Sequence, residues 1–335
     1  MDILIKSYYR PHLLDRCLRS IYERVRDIQQ IKITILDDGT PQKYLDKIKE
    51  KYPEVSFKFS QYREEKIKAI SEHLNGNKQY YDVRIPTELW YDAISEASEY
   101  LIMTEDDVWF IENFDTKKYC KEMKNHNIHI LKLGRILEKD SDIIPHYPLT
   151  DSISYHNPNF FIKSKKFYHI LLKNKFNIKT LLEKYNILPQ RWIMQLWVMY
   201  DIPMAMYRRD YLQFLWKDKY KRVIEQLQLK NAVDWAFKHK GKTKYTLMNK
   251  RIMTTSYRSS ASFNSFNIKE HFDLIEFNHL LNELWLDGKF DEYENYPSDF
   301  SVDYIYSILL ENKNKEFADK WKKWTEGFIE MHKES

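Results

Sequence analysis

Three carboxylates stand side by side in this chain, at Glu105, Asp106 and Asp107. They follow, after Thr104, on the apolar run Tyr100–Met103, which predicts a short buried strand. Acids at the end of such a strand are costly unless they reach solvent or a cation. Clustered hard oxygens suit Mn²⁺ or Mg²⁺, and such an ion suits a diphosphate. A second acidic pair, Asp37-Asp38, ends the apolar run Ile31–Leu36. One acidic turn is ordinary. Two on one sheet make a candidate site, because in open α/β sheets ligands sit outside the carboxyl ends of the strands.

The elements that must position these acids can be read from the same stretch. Asp2–Ser7 predicts a first strand, and Pro11 opens a helix whose Leu13, Leu14, Cys17, Leu18 and Ile21 form one stripe. A strand over Ile31–Leu36, a helix over Gln42–Lys51 and a strand over Val55–Phe59 follow. A helix over Glu88–Ala97, with Trp90, Ala93 and Ile94 inward, leads into the Tyr100 strand. This alternation predicts an α/β fold with a largely parallel sheet flanked by helices. Further on, Ile128–Leu133 predicts a strand, Asp140–Pro148 a polar loop and Ser152–Ile162 a strand-turn-strand. Arg191–Tyr200 predicts a helix and Pro203–Tyr207 another strand. The expected division is an α/β domain over 1–210 and a mostly helical extension over 211–335.

Composition narrows the chemistry. With 335 residues, 43% hydrophobic and 31% charged, the chain is globular rather than disordered. Its six glycines form neither G-x-G-x-x-G nor a P-loop, which argues against Rossmann dinucleotide and P-loop chemistry. Two cysteines fit a reducing cytoplasm, Met1 leads straight into a strand without a signal peptide, and no apolar run approaches a membrane span. The net charge of +5 hides an asymmetry. Residues 208–258 hold 14 Lys/Arg against 4 acids, whereas 270–335 hold 16 acids against 7 Lys.

Residues 2–110 resemble the nucleotide-sugar-binding half of a GT-A glycosyltransferase, and are most similar to family 2. The likeness lies in Ser7-Tyr8-Tyr9-Arg10-Pro11, the Leu13–Ile21 helix, Asp37-Asp38-Gly39-Thr40 and the Glu88–Ala97 helix. Glu105-Asp106-Asp107 stands at that family's D-x-D metal motif, with Glu for the first Asp. The resemblance implies nucleotide-sugar contacts from Ser7, Tyr8, Arg10, Asp37, Asp38, Arg84, Glu105 and Asp106. Tyr8 would lie against the base, and Asp37 or Asp38 would accept its N–H, which favours uracil. Arg84 would approach base and phosphate. Asp107, with Glu105, would hold Mn²⁺ or Mg²⁺, and a cation on a diphosphate makes it a better leaving group.

Inverting members place a catalytic carboxylate at the start of the helix before the Met204-Ala-Met206 strand. Here Gln190 takes that position, and an amide cannot serve as general base. Asp151 and Glu183 are the preferred replacements, with Asp201 and Asp210 behind them. His156 and Asn157 are expected on the acceptor side. The lysines of 208–258, interleaved with Trp216, Tyr220, Trp235, Tyr245 and Tyr257, read as a helix packed on the domain or as contact with an anionic membrane surface; nucleic acid is the least favoured partner. The implied activity is metal-dependent transfer of a sugar from a nucleotide-diphosphate donor, UDP-linked, to a hydroxyl of a glycan or lipid-linked glycan. Inversion is implied, in the cytoplasm or at the inner membrane surface. One rival is another diphosphate enzyme such as a nucleotidyltransferase, which would favour a basic Gly-rich loop that this chain lacks; the other is a degenerate GT-A protein that binds a nucleotide sugar or a partner without transfer, which Gln190 would suit.

Overall fold

The computed structural model describes residues 1–77, 84–134, 145–158, 160–188, 192–219, 225–239, 241–259 and 272–334. In chain order the strands are β1 (Asp2–Ser7), β2 (Lys32–Asp37), β3 (Ser56–Phe59), β4 (Tyr100–Glu105), β5 (Val108–Phe110) and β6 (Ile128–Lys132). They continue with β7 (His146–Pro148), β8 (Ile153–His156), β9 (Ala205–Arg208), β10 (Lys244–Met248) and β11 (Met253–Thr255). The helices of the first half are α1 (Pro11–Arg24), α2 (Gln42–Lys51), α3 (Arg63–Leu74), α4 (Thr87–Glu96) and α5 (Thr116–Asn125). Then come α6 (Lys165–Leu172), α7 (Ile178–Lys184), α8 (Met194–Trp197), α9 (Arg209–Leu215) and α10 (Glu225–His239). The last three are α11 (Leu274–Leu286), α12 (Val302–Asn312) and α13 (Lys315–Glu334).

Nine strands form the main sheet in the order β3-β2-β1-β4-β9-β6-β10-β8-β7. Seven run in one direction; β9 and β8 run against them. Ser7 stands opposite Asp37, and Lys6 opposite Glu105. The carboxyl ends of β1, β2 and β4 therefore lie side by side. Strand alternation divides the sheet's interior into two cores. Ile3, Ile5, Ile35 and Ile102 face α1, α2 and α11; Leu4, Leu101 and Met103 face α4, α9 and α10. In a separate ribbon, β11 pairs antiparallel with β5, directly after the acid triplet.

Two expectations about the second half are corrected. The boundary at 210 does not divide the sheet, because β10 lies between β6 and β8. Nor do the aromatics of 208–258 face a membrane: Trp216, Trp235 and Tyr245 are buried in the second core, and Tyr257 packs against the first. Tyr220 lies outside the described residues. The reason is amphipathicity working inward, with Leu229, Ala232 and Val233 of α10 joining the same core. The region expected as a helix from Arg191 contains only the short α8, and Arg191 itself is not described. The helices α11–α13 are integral rather than appended. Trp285 donates to Asp15 on α1 at 2.7 Å, and His12 pairs with Asn282 at 2.7 Å. No described helix is long and apolar enough to cross a membrane.

Candidate active site at the carboxyl edge

The acid triplet is divided between two internal cations. Glu105 ends β4 two residues beyond Met103 and shares its face, where Lys6 lies 2.5 Å away and 4.9 Å over the Trp90 ring. Asp106 and Asp107 turn to the α1 side, where both engage the guanidinium of Arg10. Nη1 lies 2.6 Å from Asp107, and Nη2 donates to Asp106. Asp106 also accepts from the backbone of Tyr8 at 3.0 Å and from Ser7 Oγ at 3.2 Å. Arg10 is only 4% exposed, so it underpins the acids instead of facing a phosphate. Asp107 is held from its other side by β11, through Ser256 N–H to its carbonyl at 2.9 Å.

The electrostatics follow from burial. Desolvation pushes Asp107 up to about 7 against the pull of Arg10, and raises Asp106 in the same way. At Glu105 burial is outweighed by the charge and hydrogen bond of Lys6, which hold it below its ordinary value. Among the described residues no three His, Cys, Asp or Glu converge to hold a metal. Two internal cations already balance two of the three acids. What remains fits an ion held largely by its ligand, since Mg²⁺ takes one or two carboxylates and completes its shell with water and phosphate. Asp107 Oδ1, buried and without a hydrogen-bond partner, and the rim carboxylate of Glu105 are donors of that kind.

At the neighbouring strand end the two aspartates have different work. Asp37 Oδ1 accepts from the backbone N–H groups of Gly39 at 3.1 Å and Thr40 at 3.0 Å, so it builds the turn. Burial raises it to about 6 despite those bonds. Asp38 Oδ2 receives the Nζ of Lys66 at 2.5 Å, and Lys66 also donates to the carbonyl of Arg84 at 2.5 Å. Gly39 has φ +144°, and a Cβ there would meet Lys66 Cβ at 2.8 Å and the Tyr8 ring at 3.2 Å. The turn therefore requires glycine. Arg84 reaches Glu65 and covers the Tyr62 ring at 4.3 Å. A cleft of about 240 Å³ lined by Phe59, Tyr62, Ile85, Pro86 and Lys219 lies beside this turn, and no member of the triplet lines it. Lys66 was not anticipated. Its signal was a stripe, since Lys66, Ala69 and Ile70 are the buried positions of α3.

The expected acceptor side is redistributed. His156 pairs with Tyr245 at the start of β10, which places it on the opposite edge of the sheet because β8 runs against β10. It is buried, donates Nδ1–H to the Pro145 carbonyl at 3.2 Å, and burial lowers it to about 4. Asn157, the next residue, leaves from that same edge. Asp210 also belongs there, paired with Arg208 at 2.7 Å. Asp151 does precede β8 at the carboxyl edge, but it is four strand spacings from β4, about 19 Å. Glu183 is tied to Trp192 at 3.2 Å on α7. Gln190 lies outside the described residues.

One other carboxylate is coupled to the triplet by charge, and a second stands at the same edge of the sheet. Asp201 sits in the turn entering β9, the strand beside β4, where it accepts from Met204 N–H at 3.0 Å. Glu225 begins α10 on the face of Glu105; it is raised by burial and then by the charge of Glu105. Beside them the Tyr200 hydroxyl and the Trp90 indole N–H are buried without hydrogen-bond partners. Both rings pack on Trp216, at 6.4 and 5.3 Å. In the sequence Glu225 stood out only as one of four acids in a basic stretch.

By sequence, the chain matches no protein-family model and no curated protein. Solved structures of similar architecture include S. aureus TarS (1–349) in complex with UDP-GlcNAc, at 12% identity and TM-score 0.43, covering 98% of this chain and 80% of that one. The mannosyltransferase PcManGT from Pyrobaculum calidifontis, in complex with GDP-Man and Mn²⁺, is similar at 9% identity and TM-score 0.41, covering 100% of this chain and 75% of that one. These likenesses are loose, and the reading below rests on this chain's own side chains.

Proposed function

We propose that the protein is a glycosyltransferase that binds a nucleotide-diphosphate sugar at the carboxyl edge of β1, β2 and β4. The observation that carries this is the side-by-side placement of Tyr8, Asp38 and the Glu105–Asp107 triplet, with an unbonded carboxylate oxygen left at Asp107. Asp38, oriented by Lys66, would accept a base N–H, which favours uridine, and Tyr8 would lie against the base. Asp107 and Glu105 would hold Mn²⁺ or Mg²⁺, which supplies charge neutralisation to the diphosphate leaving group. Arg10 and Lys6 keep these acids ordered until the donor arrives.

Transfer with inversion then needs a base for the acceptor hydroxyl. Glu225 is the first choice because its charge couples to Glu105, and Asp201 the second because it enters β9 beside β4 at the same sheet edge; neither needs Gln190. A glycan or lipid-linked glycan is the acceptor this reading implies. The test is thermal stability with UDP-GlcNAc, UDP-glucose, UDP-galactose and GDP-mannose, each with Mn²⁺, Mg²⁺ or EDTA. A donor at a hundred times its dissociation constant adds about 2.7 kcal/mol. A metal-dependent shift for one donor, followed by release of its nucleoside diphosphate, is the expected result. The absence of any shift would end this reading.

A further inference from the structure

Seven large apolar side chains are exposed among the described residues, and four of them fall within 176–187. They are Phe176, 89% exposed, Leu181, Tyr185 and Ile187. All belong to the hairpin of α6 and α7. The first helix anchors it, burying Tyr168, Leu171 and Leu172 in the second core, whereas α7 only rests on that core through the half-buried Ile178 and Leu182. The tip is built to turn an aromatic outward. Phe176 has φ +56°, a left-handed conformation that is costly for a bulky residue. Asn174 fixes that turn, donating to Thr180 Oγ1 at 3.0 Å and accepting from its N–H at 3.3 Å.

The charge around this tip is of one sign. Residues 163–187 hold seven lysines and one acid, Glu183, a local balance of +6 in a chain whose whole net charge is +5; Lys165, at the base of the hairpin, pairs with Asp234, and Lys179 with Glu183. Exposed apolar groups ringed by lysines are what an anionic bilayer binds: the rings and aliphatic chains enter the headgroup layer, and the lysines meet lipid phosphates. A second copy of the chain would bring the same positive charge onto itself across a two-fold interface. A nucleic acid would leave Leu181 and Ile187 without a role.

We propose that the α6–α7 hairpin docks the protein on an anionic membrane surface, with Phe176, Leu181, Tyr185 and Ile187 at the point of contact. This surface differs from the 208–258 region, whose aromatics are internal, and it does not depend on the donor reading. The test is sedimentation of the full chain with vesicles of phosphatidylcholine alone or mixed with phosphatidylglycerol. The protein should pellet only with the anionic vesicles. Phe176→Ser should weaken that binding roughly tenfold or more. Lys173→Gln, Lys175→Gln and Lys179→Gln should each weaken it roughly fivefold. These positions are exposed or half-buried, so the thermal midpoint should hold, which separates lost docking from lost fold. Wild-type protein left in the supernatant with anionic vesicles would overturn the proposal, as would variants that pellet like wild type. A dimer in solution that Phe176→Ser splits would also overturn it, by assigning the patch to a second copy.

Discussion

At the carboxyl edge of the sheet, Asp106 and Asp107 are buried against Arg10; at the opposite edge, His129 and His156 are buried among aromatic rings and backbone carbonyls. Burial drives the groups at both edges toward their neutral forms. The histidines comply, lowered to about 4, and Tyr211 and Trp235 pack on His129 at 5.8 and 5.6 Å. The acids are instead given internal cations, Lys6 beneath Glu105 and Arg10 beneath Asp106 and Asp107. A buried ion pair is seldom more stabilising than apolar packing of the same volume. Carboxylates backed by cations at one edge and neutral histidines at the other are what the proposed function requires of its donor site.

The most severe way to break this contrast is Arg10→Met. It leaves two buried carboxylates without their cation and should cost about 3–5 kcal/mol, read from urea unfolding. Glu225→Gln should lower kcat by about 10²- to 10⁴-fold while the donor-induced thermal shift stays unchanged. An unaltered kcat would return the base to Asp201. Gly39→Ala strains the turn that seats Asp38 and should cost about 1–3 kcal/mol, with a weakened donor shift.

A pH series tests the acids themselves. Asp107 and Asp37 hold their protons to about 7 and 6, above the ordinary value of 3.8, so between those values the folded state binds more protons than the unfolded one. Their contribution to stability is present below about pH 4 and is lost as pH rises toward 7. Asp107→Asn should flatten that decline, measured as unfolding free energy against pH. At the small end, Asn157→Ala and Asp210→Asn lie on the far edge and should leave kcat and KM within about twofold, as surface changes away from the site do.

The first half of this architecture was legible because each of its elements carries its own periodicity. Asp2–Ser7 and Gln42–Lys51 were read with the bounds they have, and the acids at two strand ends fell on one edge because parallel neighbours leave no other option. The second half was not legible in the same way. Lysines flanking Tyr245 and Leu247 made β10 look like part of a basic helix, though the strand is internal. The reversal of β8 decides the edge on which His156 lies, and no local pattern encodes that direction. Lys66, and the inward role of Arg10, stay hidden for a third reason: a buried cation looks like a solvated one until its partners, 28 and 97 positions away, are folded beside it.

The position of β10 also sets an order of events during synthesis. Among the described residues, β8 joins the rest of the sheet only through β10, and β7 only through β8. The hairpin spanning His146 to His156 must therefore wait, translated but unattached, while about ninety further residues emerge from the ribosome. Until Lys244–Met248 arrives, β6 presents an open edge to the cell. For that interval the sheet is unfinished, and α1 still awaits the later helix that supplies Asn282 and Trp285 to His12 and Asp15.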